Sequence, residues 1–216
     1  IQNFTKKGSL LQMIQKIGKF KEKQIQFYAA ELLLAIQYLH EQNIIHNDIK
    51  PDNILISETG HIVLTDFGIS YQINNQENKI LQQNDQFIGT LQYTAPEVLQ
   101  NYRHSKSSDY WSYGIIIFMM VTGYHPFADA ENINEYTVKN ITQGDPFQNC
   151  VANIPPRLNT LLQGLLEKDP NYRLGTQNIN QIKNHCFFNE IDWNLLQIQK
   201  IKSPFIPKIN DNTNDD

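Results

Sequence analysis

The longest regular pattern in this chain runs through residues 24–42, "QIQFYAAELLLAIQYLHEQ", where Ile25, Tyr28, Ala29, Leu32, Ile36 and Leu39 recur at helical spacing. One apolar stripe beside one polar face predicts a long amphipathic helix with a single buried side. The shorter "SLLQMIQKIG" before it reads as a helix stopping at Gly18. After Asn53 the period changes, and "ILIS", a turn "ETG" and "HIVLT" predict a hairpin of two short strands. From Ser70 to Gln86 the chain is polar and aperiodic, which predicts a mobile loop.

Helical signals return at Ser107. A buried helix is expected to open on the capping candidates Ser107 and Ser108, with further helices near 131–142, after Pro155 and Pro156, and near 177–185. No internal repeat is visible, and the terminal "NDNTNDD" is expected to be disordered. The fold class that follows is mainly α with one small β-hairpin.

Composition narrows the function classes. With 216 residues, 40% of them hydrophobic, the chain can bury one sizeable core. A net charge of -4 gives no general attraction to nucleic acid or an anionic membrane, and no local basic patch stands out. The longest apolar run, Tyr113 to Val121, is about half of what a bilayer span needs, so no membrane span is expected. Two cysteines, Cys150 and Cys186, form no CxxC pair, so a reducing compartment is the default and the expected location is cytoplasmic, with the nucleus as an alternative.

The candidate chemistry sits in "HNDIKPDN", His46 to Asn53, on the loop leading into the hairpin; a further acid, Asp66, sits on the loop leaving it. A hairpin brings its ends together, so Asp48, Asn53 and Asp66 should converge. A carboxylate two positions before a lysine can accept a hydroxyl proton while the ammonium neutralises a phosphoryl oxygen. An amide oxygen and a second carboxylate are hard ligands of the kind Mg²⁺ takes together with water and phosphates. Base, cation and two metal ligands together specify phosphoryl transfer.

"DFG" at Asp66 to Gly68 and "APE" at Ala95 to Glu97 follow in order. With them the chain resembles the C-terminal, helical lobe of a eukaryotic protein kinase, whose complete fold is α+β. The resemblance implies ATP and Mg²⁺ as cofactors and protein hydroxyls as substrates. It implies Asp48 as proton acceptor, Lys50 steadying the transferring phosphate, Asn53 and Asp66 holding Mg²⁺, Thr90 touching Lys50 and Asp48, and Leu55 packing under adenine. His46 and Phe67 would pack beneath the site, Glu97 and Arg173 would form a buried ion pair, and Asp109 would hold the catalytic loop. The "DIKPDN" form is similar to serine/threonine rather than tyrosine kinases.

"HCFF...IDW...PFIP" near the end is similar to the AGC group, which includes the cyclic-nucleotide-dependent kinases. The implied organisation is a C-lobe over 1–188, with catalytic loop 46–53 and activation segment 66–97, then an AGC-type tail over 189–216. Such a tail is where a regulatory subunit or an upstream kinase would act.

Three departures qualify the match. The chain carries no Gly-rich loop, no lysine in a "VAIK" context and no partner glutamate helix, so it is expected to be a fragment without an N-terminal β-lobe and with negligible activity alone. Asn47 stands where the family has a phosphate-receiving arginine, and no Ser or Thr lies between Tyr71 and Gly89, so switching by phosphorylation there is not expected. Ser9 and Met119 occupy positions where basophilic relatives place acids, leaving Asp52 alone. The alternative reading is a pseudokinase-like scaffolding module.

Overall fold

The computed structural model describes residues 6–73, 89–101, 104–127, 135–148 and 150–204. The expected activation-loop stretch from Asn74 and the terminal "NDNTNDD" lie outside the described residues.

Strand β1 (Lys6–Ser9) leads into α1 (Leu10–Ile17), followed by the long α2 (Glu22–Glu41) and the two-residue β2 (Ile44–Ile45). The hairpin is β3 (Ile54–Ser57) and β4 (Ile62–Leu64), and β5 (Tyr71–Gln72) follows. Next come α3 (Pro96–Asn101), α4 (Lys106–Thr122), α5 (Glu135–Gln143), α6 (Pro156–Leu165), α7 (Asn180–Lys183) and α8 (Trp193–Gln197).

The centre of the molecule is α4. Every residue from Ser107 to Thr122 is buried, as a helix apolar all round must be. Against it lie α2, contributing Ile25, Tyr28, Leu32, Leu33 and Ile36, and α6, contributing Leu158, Leu161, Leu162 and Leu165. Each such buried aliphatic side chain contributes roughly 1.5–3 kcal/mol. Helix α4 starts earlier than the sequence suggests, because Ser105 is its N-cap and the Ser108 hydroxyl accepts the Ser105 N–H at 3.2 Å. Ser107 turns away instead, donating to the Pro170 carbonyl at 3.3 Å.

The hairpin has the register Ile54↔Leu64, Leu55↔Val63, Ile56↔Ile62. Ile54 and Ile56 face the core while Leu55, on the opposite face, is half-buried. The carboxylate of Glu31 on α2 holds this hairpin, accepting from the Ile62 N–H at 3.0 Å and pairing with His61 at 2.5 Å.

Further features depart from the sequence expectation. β1 pairs antiparallel with β3, making the sheet three-stranded, although "KKGS" has no strand-like pattern. Tyr71 and Gln72, expected within a mobile loop, pair with Ile45 and Ile44 in a separate two-stranded sheet. α7 is also shorter than the 177–185 expected, as the chain passes into a 3-10 turn at Cys186–Phe188 capped by His185.

Gly114 marks the closest approach of α4 to α6. A Cβ there would lie 2.9 Å from Leu165 Cβ and 3.0 Å from Leu166 Cδ2. Gly114→Val should therefore overpack this crossing by about 1–3 kcal/mol. The midpoint of thermal unfolding should fall on the order of 5 °C; an unchanged midpoint would show that the two helices can part freely.

Candidate active site

The loop between β2 and β3 is anchored to the first turn of α4. Asp109, 1% exposed, accepts the backbone N–H groups of His46 at 3.0 Å and Asn47 at 3.1 Å, and its Oδ2 lies 2.8 Å from His40 Nε2. A buried carboxylate is tolerated because donors surround it and because it sits at the positive end of a helix. The His46 ring is fully buried, and desolvation pushes its pKa down despite the charges of Asp109, Asp48 and Asp66 nearby. The neutral ring donates from Nε2 to the Thr65 carbonyl at 3.2 Å and accepts the Asp48 N–H at Nδ1 at 3.3 Å. It also lies 5.0 Å from the ring of Phe67, which remains 49% exposed.

Asp48, Lys50 and Thr90 form a closed ring of contacts, and Asn53 joins it at Asp48. Thr90 Oγ1 donates to Asp48 Oδ1 at 2.7 Å, and Lys50 Nζ donates to Thr90 Oγ1 at 2.8 Å while lying 2.7 Å from Asp48 Oδ2. Asn53 Nδ2 donates to the carbonyl and to Oδ2 of Asp48, both at 2.9 Å. Burial by itself would raise the Asp48 carboxyl. Lys50, Thr90 and Asn53 outweigh it and hold the pKa below the ordinary value, so Asp48 is an ionised acceptor.

A 3-10 turn at Pro51–Asn53, begun by a proline whose fixed φ suits that position, sets Asn53 between the loop and β3. Thr65 donates its N–H at 2.9 Å and its hydroxyl at 3.0 Å to the Asn53 carbonyl. The adjacent Asp66 is thereby strapped beside Asn53, in the left-handed region at φ 65, a conformation Asp tolerates better than most residues. Leu55 lies on the half-buried face of the same hairpin.

These residues suit a divalent cation through their donor chemistry. Because Asn53 commits its Nδ2 to Asp48, its amide oxygen is the atom left for a metal, and the Asp66 carboxylate would be the second hard ligand. Among the described residues no three His, Cys, Asp or Glu side chains could hold an ion unaided. A cation here would complete its shell with water and substrate oxygens, as Mg²⁺ does.

Behind the ring, Arg173 is buried and forks onto Glu97, with Nη1 to Oε1 at 2.6 Å and Nη2 to Oε2 at 2.8 Å. Its remaining donors reach the carbonyls of Ser107, Glu167 and Lys168. His40 is the site residue the sequence reading missed, since a lone His near the end of an amphipathic helix gives no signal of a partner on another helix.

The sequence pattern that defines the protein kinase domain matches residues 1–188. The chain belongs to the protein kinase domain family. Within it the relatives point to the AGC group. Over 206 residues it is 42% identical to the serine/threonine-protein kinase gad8 of Schizosaccharomyces pombe, covering 95% of this chain and 35% of that protein. It is 39% identical over 209 residues to the human ribosomal protein S6 kinase alpha-6, covering 96% of this chain and 27% of the relative. With the serine/threonine-protein kinase SCH9 of Candida albicans it shares 40% identity over 212 residues, 97% of this chain and 26% of the relative. The kinase-family chain thus spans 26–35% of the length of these relatives. Its body, about half helical with small antiparallel sheets, agrees with part of a kinase fold. Among the described residues no helix is long and apolar enough to cross a membrane.

Removing Glu97 leaves the Arg173 charge buried without its carboxylate. Glu97→Ala should cost about 3–5 kcal/mol, lowering the thermal midpoint on the order of 10 °C. Calorimetry showing a loss under about 1 kcal/mol would mean that the pair behaves as a surface salt bridge.

Proposed function

We propose that this chain is the helical lobe of a serine/threonine protein kinase that transfers the ATP γ-phosphoryl group to protein hydroxyls. The observation that carries the reading is the ring of Asp48, Lys50 and Thr90, with Asn53 bonded to Asp48 and Asp66 strapped beside it. The acceptor hydroxyl gives its proton to Asp48 as its oxygen bonds to the γ-phosphorus and the bond to the β,γ-bridging oxygen breaks, releasing ADP. Lys50 neutralises charge on the phosphoryl oxygens, and Thr90 bridges lysine and base, bonding to both. Asn53 and Asp66 would hold Mg²⁺, which when bound neutralises the phosphate charge. Leu55 offers an apolar face to the adenine, and Phe67, half-exposed beside His46, is positioned to meet a covering element.

The lobe is assigned to residues 1–188 and the tail to 189–216, the tail being where a regulatory partner or upstream kinase would act, in a cytoplasmic setting. Isolated, the 216 residues should turn over negligibly, because they include no Gly-rich loop or strand lysine for the phosphates. Substrate choice should not depend on arginine. Met119 is 6% exposed and aliphatic, Ser9 is occupied as the N-cap of α1, accepting the Gln12 N–H at 3.3 Å, and Asp52 is the exposed carboxylate that remains. A scaffolding role accounts for none of the ring's geometry.

The test is phosphate transfer from MgATP to a panel of Ser/Thr peptides by the full-length protein. Asp48→Asn and Asp66→Asn should each lower kcat roughly 10²–10⁴-fold with little change in melting temperature. Turnover by either variant within about threefold of wild type would end this assignment, and a strong demand for arginine would end the substrate reading.

A further inference from the structure

The catalytic loop contains a polar side chain, Asn47, to which the mechanism above gives no role. Asn47 sits at φ 69, in the left-handed region that asparagine and aspartate enter more readily than other non-glycine residues. Its own N–H is fixed by Asp109 Oδ1 at 3.1 Å, which sets where the side chain starts. From there the carboxamide reaches across to the segment after Asp66, and Nδ2 donates to the Ile69 carbonyl at 2.9 Å. Its orientation is settled by that contact, since the flipped amide would put oxygen against oxygen. The other end of the amide, Oδ1, is buried and has no hydrogen-bond partner among the described residues. An acceptor left unsatisfied is costly, so the site tolerates a loss at Oδ1 in order to keep the donor on Ile69.

The segment held by this bond is short and tight. Gly68 N–H bonds to Asp66 Oδ1 at 3.3 Å and Ser70 N–H to the Phe67 carbonyl at 3.1 Å, so Asp66 to Ser70 is one turn. One end of the turn is strapped at Thr65 by Asn53, and the other is pinned at Ile69 by Asn47. Beyond it Ser70 Oγ donates to the His46 carbonyl at 3.2 Å, Tyr71 pairs with Ile45, and Ile73 N–H bonds to the Asn43 carbonyl at 2.8 Å. The whole stretch therefore lies along residues 43–47, and each of these fasteners is uncharged.

We propose that Asn47 is a positioning residue that clamps Ile69 and so fixes Asp66 as a cation ligand. The clamp rests on the phosphotransfer reading for its kinetic consequence, and on geometry alone for its structural one. A residue acting through a metal ligand in this way is worth roughly 10–100-fold in activity or metal affinity.

Two substitutions in the full-length protein separate the amide from the backbone. Asn47→Asp keeps the shape and the tolerance of positive φ but has no N–H to donate and sets a carboxylate oxygen against the Ile69 carbonyl. Asn47→Gly keeps the backbone freedom and removes the amide, and it carries the test if the first variant fails to fold. The expected result for both is a kcat lowered, or a Mg²⁺ concentration for half-maximal rate raised, by roughly 10-fold, with the peptide KM within about twofold of wild type. Amide hydrogen exchange at Ile69 to Ile73 should quicken while α4 keeps its protection. Kinetics within about twofold of wild type in both variants or unchanged exchange at Ile69 to Ile73 would each overturn the proposal. The exchange measurement needs no turnover, so a protein without Asp48-dependent transfer would refute the function and still report on the clamp.

Discussion

The geometry of the whole site depends on one buried carboxylate. Asp109 accepts the N–H groups of His46 and Asn47 and meets His40, so the catalytic loop is fixed to the first turn of α4. That helix is the most thoroughly buried element of the fold, and a loop attached to it inherits its rigidity. The same helix end positions the segment carrying Thr90 and Glu97. Ser112 Oγ donates to the Tyr93 carbonyl at 2.8 Å, and Arg173 joins the Ser107 carbonyl, at 3.0 Å, to Glu97. Two chain segments far apart in sequence are thus referenced to one turn, and Asp48 and Thr90 meet as a result.

The charges at the site are arranged so that none is buried without a partner. Asp48 has Lys50, Arg173 has Glu97, and Asp109 has three donors around it. Such networks do little for net stability, because desolvation offsets most of the Coulombic gain. Their effect is on position. A carboxylate holding two hydrogen bonds and an ammonium is restricted to a narrow range of orientations, which a proton acceptor needs before substrate arrives.

The sequence made the strongly periodic parts of the fold legible. α2 carries a full apolar stripe, the hairpin a clean β-branched pattern around Gly60, and α4 an unbroken apolar run. What stayed hidden was set by partners rather than by local pattern. Lys6–Ser9 becomes a strand because β3 offers a free edge, and Tyr71–Gln72 because Ile44–Ile45 lies opposite. In the site, the spacing around the hairpin brought out Asp48, Asn53 and Asp66, while Thr90, Glu97, Asp109 and Arg173 were found by resemblance. His40 was not, since its partner lies 69 residues away on another helix. Asn47 was visible only as a departure from a motif, and its bond to Ile69 follows from a left-handed backbone that no sequence pattern declares.

The most direct measurement is the effect of Asp109→Asn on phosphate transfer and on exchange of the His46 and Asn47 amides in the full-length protein. One side-chain oxygen cannot serve three donors, and the new NH₂ would face N–H groups that need an acceptor. If Asp109 fixes the loop, both amides will exchange far faster than in wild type and kcat will fall at least about tenfold while α4 stays protected. If both amides keep their protection and kcat stays within about twofold, the catalytic loop is held by something other than this carboxylate, and the central claim is wrong.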